Sequence, residues 1–188
     1  MKHLILIGTI FCSCSLFAQG KKEKAQWKFH SINQLGWLKG ESASTILAQT
    51  IQGFQHRSWF GGIGAGIDPY HLRGIPVFVD IRKEWGSEKN AFFLYGDAGI
   101  HFAWLKDNQK DAYAHGVPAE ISNGFYTDIG LGYKAKIFHR NSLLISGGYT
   151  YKTVGITVED HFVVPFDGTG YHLQFDLSRF NFKVGWMF

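Results

Sequence analysis

Five residues could do chemistry together: His71 and His101 as imidazole bases, Asp68 and Asp128 as orienting carboxylates, and Ser122 as a hydroxyl nucleophile. A histidine base held by an acid beside a serine is the constellation that acyl transfer needs. No short motif surrounds any of the five, so they are candidate catalytic residues by type alone. The nine histidines of the chain form no His-x-His or His-Glu-x-x-His pair. Zinc requires three or four converging ligands, so no metal and no cofactor is expected. The run Gly61-Gly62-Ile63-Gly64-Ala65-Gly66 falls short of the dinucleotide fingerprint: counted from Gly62, its last glycine position is Ile67, and no helix pattern follows. Glycines alternating in this way make room for large side chains from neighbouring strands.

The elements that would have to position these groups are strands. With 188 residues the chain has the length of one domain. Aromatic residues make up 16% and charged residues only 18%, alongside 23 glycines. That composition excludes a disordered chain and favours strands and turns over helices. The net charge of +4 is dispersed; the one tight cluster, Lys21, Lys22 and Lys24, is diluted by Glu23. Nucleic-acid binding would need a basic stripe tracking phosphates, so no nucleic-acid partner is expected.

Residues 1–18 read as an export signal, with Lys2 and His3 at the start, an apolar run from Leu4 to Phe11, and a cleavage site after Ala18. The run is too short to span a bilayer, which takes about 20 residues. Both cysteines, Cys12 and Cys14, lie inside this segment, so the exported chain is expected to hold no disulfide. Cleavage before Cys14, as in a lipoprotein, is the competing reading. Residues 19–26 form a short N-terminal segment, and 27–188 one further domain.

Period-two alternation, broken by turn residues, runs through that domain. Clear strands are expected at Ile75–Glu84, Ala91–Trp104, Phe125–Ile137, Leu143–Thr153 and Phe180–Phe188. Three weaker ones lie at Trp27–Leu38, whose middle (Ser31 to Gln34) is ambiguous, at Thr45–Gln55, which alternates poorly, and at Ser58–Asp68. One face of nearly every strand is large and apolar. The opposite face carries both signs of charge: Asp80, Glu84, Asp97 and Asp128 with Arg82, Lys134, Lys136, Lys152, Arg179 and Lys183. All six tryptophans, at 27, 37, 59, 85, 104 and 186, fall at or near strand ends. An apolar outside, a polar inside and aromatic girdles are what a lipid-embedded closed barrel requires. The turns at His56-Arg57, Gly86–Asn90 and His139–Ser142 are short; of the outer connections, Leu105–Asn123 and Glu159–Gly170 are long and those near Glu41 and His71 are short, so half of them show the asymmetry of periplasmic turns and external loops.

The export signal, the eight strands and the ending Phe180-Asn181-Phe182-Lys183-Val184-Gly185-Trp186-Met187-Phe188 resemble the small outer-membrane β-barrels of the OmpA/OmpX type from Gram-negative bacteria. The resemblance implies an all-β, eight-stranded antiparallel up-and-down transmembrane barrel in the outer membrane, with membrane lipid as its surroundings. It also implies that Phe180, Phe182, Val184, Trp186 and Phe188 serve as the signal read by the outer-membrane assembly machinery. It carries no activity. Pro76 inside a strand, and a slip of alternation between Leu177 and Phe180 that points to a bulge at Ser178-Arg179 or to a strand starting there, are the departures.

Eight strands enclose room for side chains rather than a channel. The charged inner faces are therefore expected to pair into a plug without general pore conductance, leaving a structural role or one carried by the external loops. There the apolar run Phe162-Val163-Val164-Pro165-Phe166 reads equally as a docking patch for an unidentified partner or as a segment lying against the barrel rim or in the lipid. Two alternatives remain open. An outer-leaflet lipid acyltransferase or deacylase would use the Ser122, His71, His101, Asp68 and Asp128 set near the outer rim. An exported lipocalin-like binder would need apolar residues inside and polar ones outside.

Overall fold

The computed structural model describes residues 26–41, 43–104, 119–138, 141–158 and 171–188. The expected signal segment 1–18 and the patch 162–166 lie outside them. Nine antiparallel strands follow one another: β1 (Trp27–Lys39), β2 (Ser44–His56), β3 (Trp59–Ile67), β4 (Gly74–Gly86), β5 (Asn90–Ala103), β6 (Ala119–Ser122), β7 (Gly124–Lys136), β8 (Ser142–Val158) and β9 (Tyr171–Met187). Each pairs with its sequence neighbour except at the short β6, which together with β7 makes one stave along β8. β9 pairs with both β8 and β1, so the sheet closes into an eight-stave antiparallel barrel.

The stagger can be read from the register. Cross-strand partners run from Phe29 through Phe54, Gly61, Ile81, Gly96, Ile129, Tyr149 and Phe180, and return to β1 at Lys39, not at Phe29. Such an offset tilts the strands by roughly 35–45° from the barrel axis and fixes a narrow bore. Tight turns join the strands at the end where the chain enters and leaves the barrel. Arg57 takes a positive φ of 56° in the two-residue link between β2 and β3, the backbone twist that such hairpins demand.

Side chains alternate as the pleat dictates. The outward set is apolar and uncovered by protein, including Phe92 (68% exposed), Leu131 (67%) and Ile63 (66%). Inward, the lumen is packed. Ile32, Ile51, Phe60, Phe78, Phe93, Tyr95, Tyr126, Leu144 and Met187 form one cluster. Gly64 is a glycine because a Cβ there would sit 2.5 Å from the Phe78 ring.

Two expectations change. The strand ending the chain runs in unbroken register against β8 from Tyr171 to Met187, so there is no bulge at Ser178-Arg179. Leu177 points inward to an apolar cluster with Leu38, Leu47 and Tyr70, which is why the apolar phase switches there. The irregularity lies instead at Asn123, where the partner register along β8 shifts by one between β6 and β7. The connection after β5 is correspondingly shorter than Leu105–Asn123, because Ala119–Ser122 is strand.

Candidate functional site

The lumen is the chemically dense part of the molecule. It holds five acids (Asp68, Asp80, Glu84, Asp97 and Asp128) and five bases (Arg82, Lys134, Lys152, Arg179 and Lys183). Charges withdrawn from water are tolerated when paired and hydrogen-bonded, and the pairing here is layered along the bore. Near the entry of the chain, Lys134 Nζ bonds Glu84, whose carboxylate also accepts from Gln55 Nε2 at 3.0 Å. Above it, the Arg82 guanidinium clasps Asp80 with Nε and Nη2 at 2.8–3.0 Å, its charge also facing the rings of Phe60, Phe93 and Tyr95.

In the middle, Asp80, Asp97 and Asp128 are successive cross-strand partners on β4, β5 and β7. Asp128 is well supplied with donors: Lys183 Nζ at 2.9 Å, Asn181 Nδ2 at 2.9 Å and Tyr95 Oη at 3.0 Å. Asp97 is not. Neither of its oxygens accepts a hydrogen bond from the described residues, and Lys183 Nζ lies 4.0 Å away.

At the far mouth the turn between β3 and β4 folds inward. Asp68 and Gly74 bond each other's backbone at 2.9 Å, and the turn between them tucks Tyr70 and Leu72 into the barrel. Leu72 packs on Val154 and Ile156, while Tyr70 meets Leu38 and Leu47. Lys152 Nζ donates to the carbonyls of Tyr70 (3.1 Å) and Leu72 (2.8 Å). It also pairs with Asp68 at 3.1 Å, and Arg179 bonds the same carboxylate oxygen.

This layout redistributes the candidate residues. Asp68, His101 and Asp128 are enclosed rather than set on an accessible rim, whereas His71 and Ser122 are exposed. His101 Nε2 is 3.4 Å from Lys152 Nζ, not beside a serine. Ser122 packs over Gly155, next to the ring of His172, whose Nδ1 is 2.9 Å from Thr157 Oγ1. The five residues are therefore not assembled into an acyl-transfer site. Lys136, expected among the lumen charges, is exposed at the end of β7, beyond Lys134. Asp68 is not a rim residue but the counter-ion of two lumen cations, which the sequence signals only through the excess of bases over acids on the inward faces.

The six tryptophans lie on the outside or at its edges. Trp27, Trp59, Trp85 and Trp186 ring the end where the chain enters and leaves, and Trp37 and Trp104 lie toward the other. Lys83 Nζ sits 4.6 Å over the Trp59 ring and the Arg73 guanidinium 3.8 Å over Trp104, so cations flank the apolar band at both ends. Phe180, Phe182, Val184 and Phe188 face outward along β9 and its end.

An apolar wall around a charged, packed bore is the reverse of a soluble barrel and defines the class: a transmembrane β-barrel of the outer-membrane type. Solved structures share the fold. The outer-membrane protein AlkL, determined in DMPC lipid bilayers, superposes with a TM-score of 0.52 at 8% identity, covering 90% of this chain and 93% of that one. The outer-membrane protein OprG from Pseudomonas aeruginosa gives a TM-score of 0.52 at 13% identity, over 88% and 97%. At these identities the likeness is one of fold. No family model and no curated protein matches the chain.

Proposed function

We propose that this chain, exported by residues 1–18, is an outer-membrane protein whose barrel is a sealed scaffold, its role structural or carried by its external connections. The observation that carries this reading is the lumen itself. Five acids and five bases share a bore already filled by aromatic and aliphatic side chains, and Tyr70 and Leu72 occupy its far mouth. Eight staves leave room for side chains and little else. The segments 105–118 and 159–170 follow β5 and β8 at the same end as the Asp68–Gly74 turn, so a partner outside the cell would meet them first. Membrane lipid is the partner of the wall, and the assembly machinery that of the β9 ending.

The test is electrical. Purified protein reconstituted in planar bilayers is expected to give no large, steady single-channel current. Regular conductance steps in most insertions would overturn the sealed-scaffold reading.

A further inference from the structure

Where β9, β1, β2 and β3 run side by side, the outer wall breaks its own rule twice. Trp186, Asn33, Thr50 and Ala65 are successive cross-strand partners there, and Ala48 lies between its partners Leu35 and Ile67. Small side chains amid large ones leave the wall concave. A recess of about 710 Å³ is floored by Ala48, Thr50 and Ala65 and bordered by Leu35, Ile67 and Trp186. The recess also holds polar groups. Asn33 lies between the outward rings of Trp27 and Trp37 on its strand, hence within the apolar band. Its amide has no hydrogen-bond partner among the described residues. Thr50 Oγ1 accepts from Gln52 Nε2 at 3.2 Å, while its own O–H has no acceptor among those residues.

An amide bare to hydrocarbon forfeits its donors and its acceptor, and lipid tails offer no replacement. Lipid headgroups lie at the surfaces of the bilayer, outside the hydrocarbon band that holds Asn33. A second protein wall would be stopped by Leu35, Ile67 and Trp186 before it met an amide set back behind them. The occupant is therefore a slender molecule dissolved in the bilayer, and it is uncharged, because a charge at that depth is costly. Its polar group must accept from Asn33 Nδ2 or Thr50 Oγ1 and donate to Asn33 Oδ1. A hydroxyl does both, with one O–H to give and two lone pairs to receive. The rest of it must be apolar to lie against Ala48 and Ala65. A concave, mainly apolar site of this volume with a few convergent polar groups is the usual form of a small-molecule site. We infer that the recess binds a long-chain alcohol taken up from the bilayer, its hydroxyl held between Asn33 and Thr50 and its chain along the alanine floor. The inference rests on the membrane reading above.

The probe is a long-chain alcohol carrying a diazirine in its chain, at trace level in phospholipid vesicles that hold the folded protein. After irradiation, peptide mapping by mass spectrometry is expected to find the label concentrated around the recess on β1, β2 and β3. The matching diazirine alkane, which lacks the hydroxyl, should label the wall without preference. Asn33→Leu should cut labelling by the alcohol about five-fold, the worth of one net hydrogen bond. Ala65→Phe fills the recess from its floor, leaves Asn33 in place, and should abolish the labelling. Even labelling by the alcohol, the same concentration of label from the alkane, or labelling unchanged by either substitution would overturn the site. Vesicle flotation and unboiled gels of the same samples separate the two claims. A vesicle-borne, heat-modifiable barrel with even labelling overturns the site alone. Protein that does not float with the vesicles overturns both.

Discussion

Arg179 of β9 bonds the carboxylate of Asp68, the residue that follows β3, across 111 positions of sequence. Lys152 of β8 reaches the same oxygen and two carbonyls of the turn beyond it. One acid thus ties three staves and the inward-folded turn together. In Asp68→Asn both cations lose their counter-charge inside a low-dielectric bore, an effect of about 3–5 kcal/mol. The check is the urea midpoint of refolded protein in phospholipid vesicles, followed by tryptophan fluorescence. Adding Arg179→Met to Asp68→Asn should recover part of the loss, since it removes one stranded charge.

The three mid-lumen carboxylates should respond unequally. Asp128→Asn loses charge-assisted bonds to Lys183, Asn181 and Tyr95 and should cost about 3 kcal/mol or more. The Asp97 carboxylate faces Asp80 and Asp128 as cross-strand partners and accepts no hydrogen bond from the described residues. Like charges directly opposite destabilise a sheet, so Asp97→Asn should leave the urea midpoint unchanged or raise it. A loss as large as that of Asp128→Asn would contradict the geometry.

Glycine substitutions separate the two faces of β3. A Cβ at Gly64 would sit 2.5 Å from the Phe78 ring, whereas one at Gly61 meets nothing within 4 Å. Gly64→Ala should therefore cost about 1–3 kcal/mol through overpacking, with partial rescue by Phe78→Leu. Gly61→Ala should be neutral. Equal effects at the two positions would contradict the assigned inward and outward phases.

A charge on the wall reports what the wall touches. Ile129 is 58% exposed and outward on β7. If lipid covers it, Ile129→Arg should destabilise the folded barrel in vesicles by about 2–4 kcal/mol. An exposed side chain in water would tolerate the same change within about 0.5 kcal/mol.

Strand existence and facing were legible wherever one face met lipid and the other met charge, as along Ile75–Glu84 and Ala91–Trp104, because the pleat writes that contrast every second residue. Trp27–Leu38, ambiguous in its middle, and Thr45–Gln55, which alternates poorly, are the strands that turn Asn33, Thr50 and Gln52 outward and Ile32 and Ile51 inward. There the contrast is inverted, and the irregularity in the sequence was itself the trace of the polar face. Leu177 misled for a related reason, since the upper bore is apolar and an inward leucine mimics a change of phase. Asp68 was not readable as a lumen residue, because its role depends on the inward fold of Tyr70 and Leu72, which no local spacing encodes.

The central claim is a folded, membrane-embedded barrel, and one gel tests it most directly. An outer-membrane fraction containing the protein is run on a denaturing gel with and without boiling. A band in that fraction whose mobility changes on heating is the expected result, since a closed eight-stave barrel resists the detergent until heated. Protein recovered in the soluble periplasmic fraction, with the same mobility either way, would contradict the account.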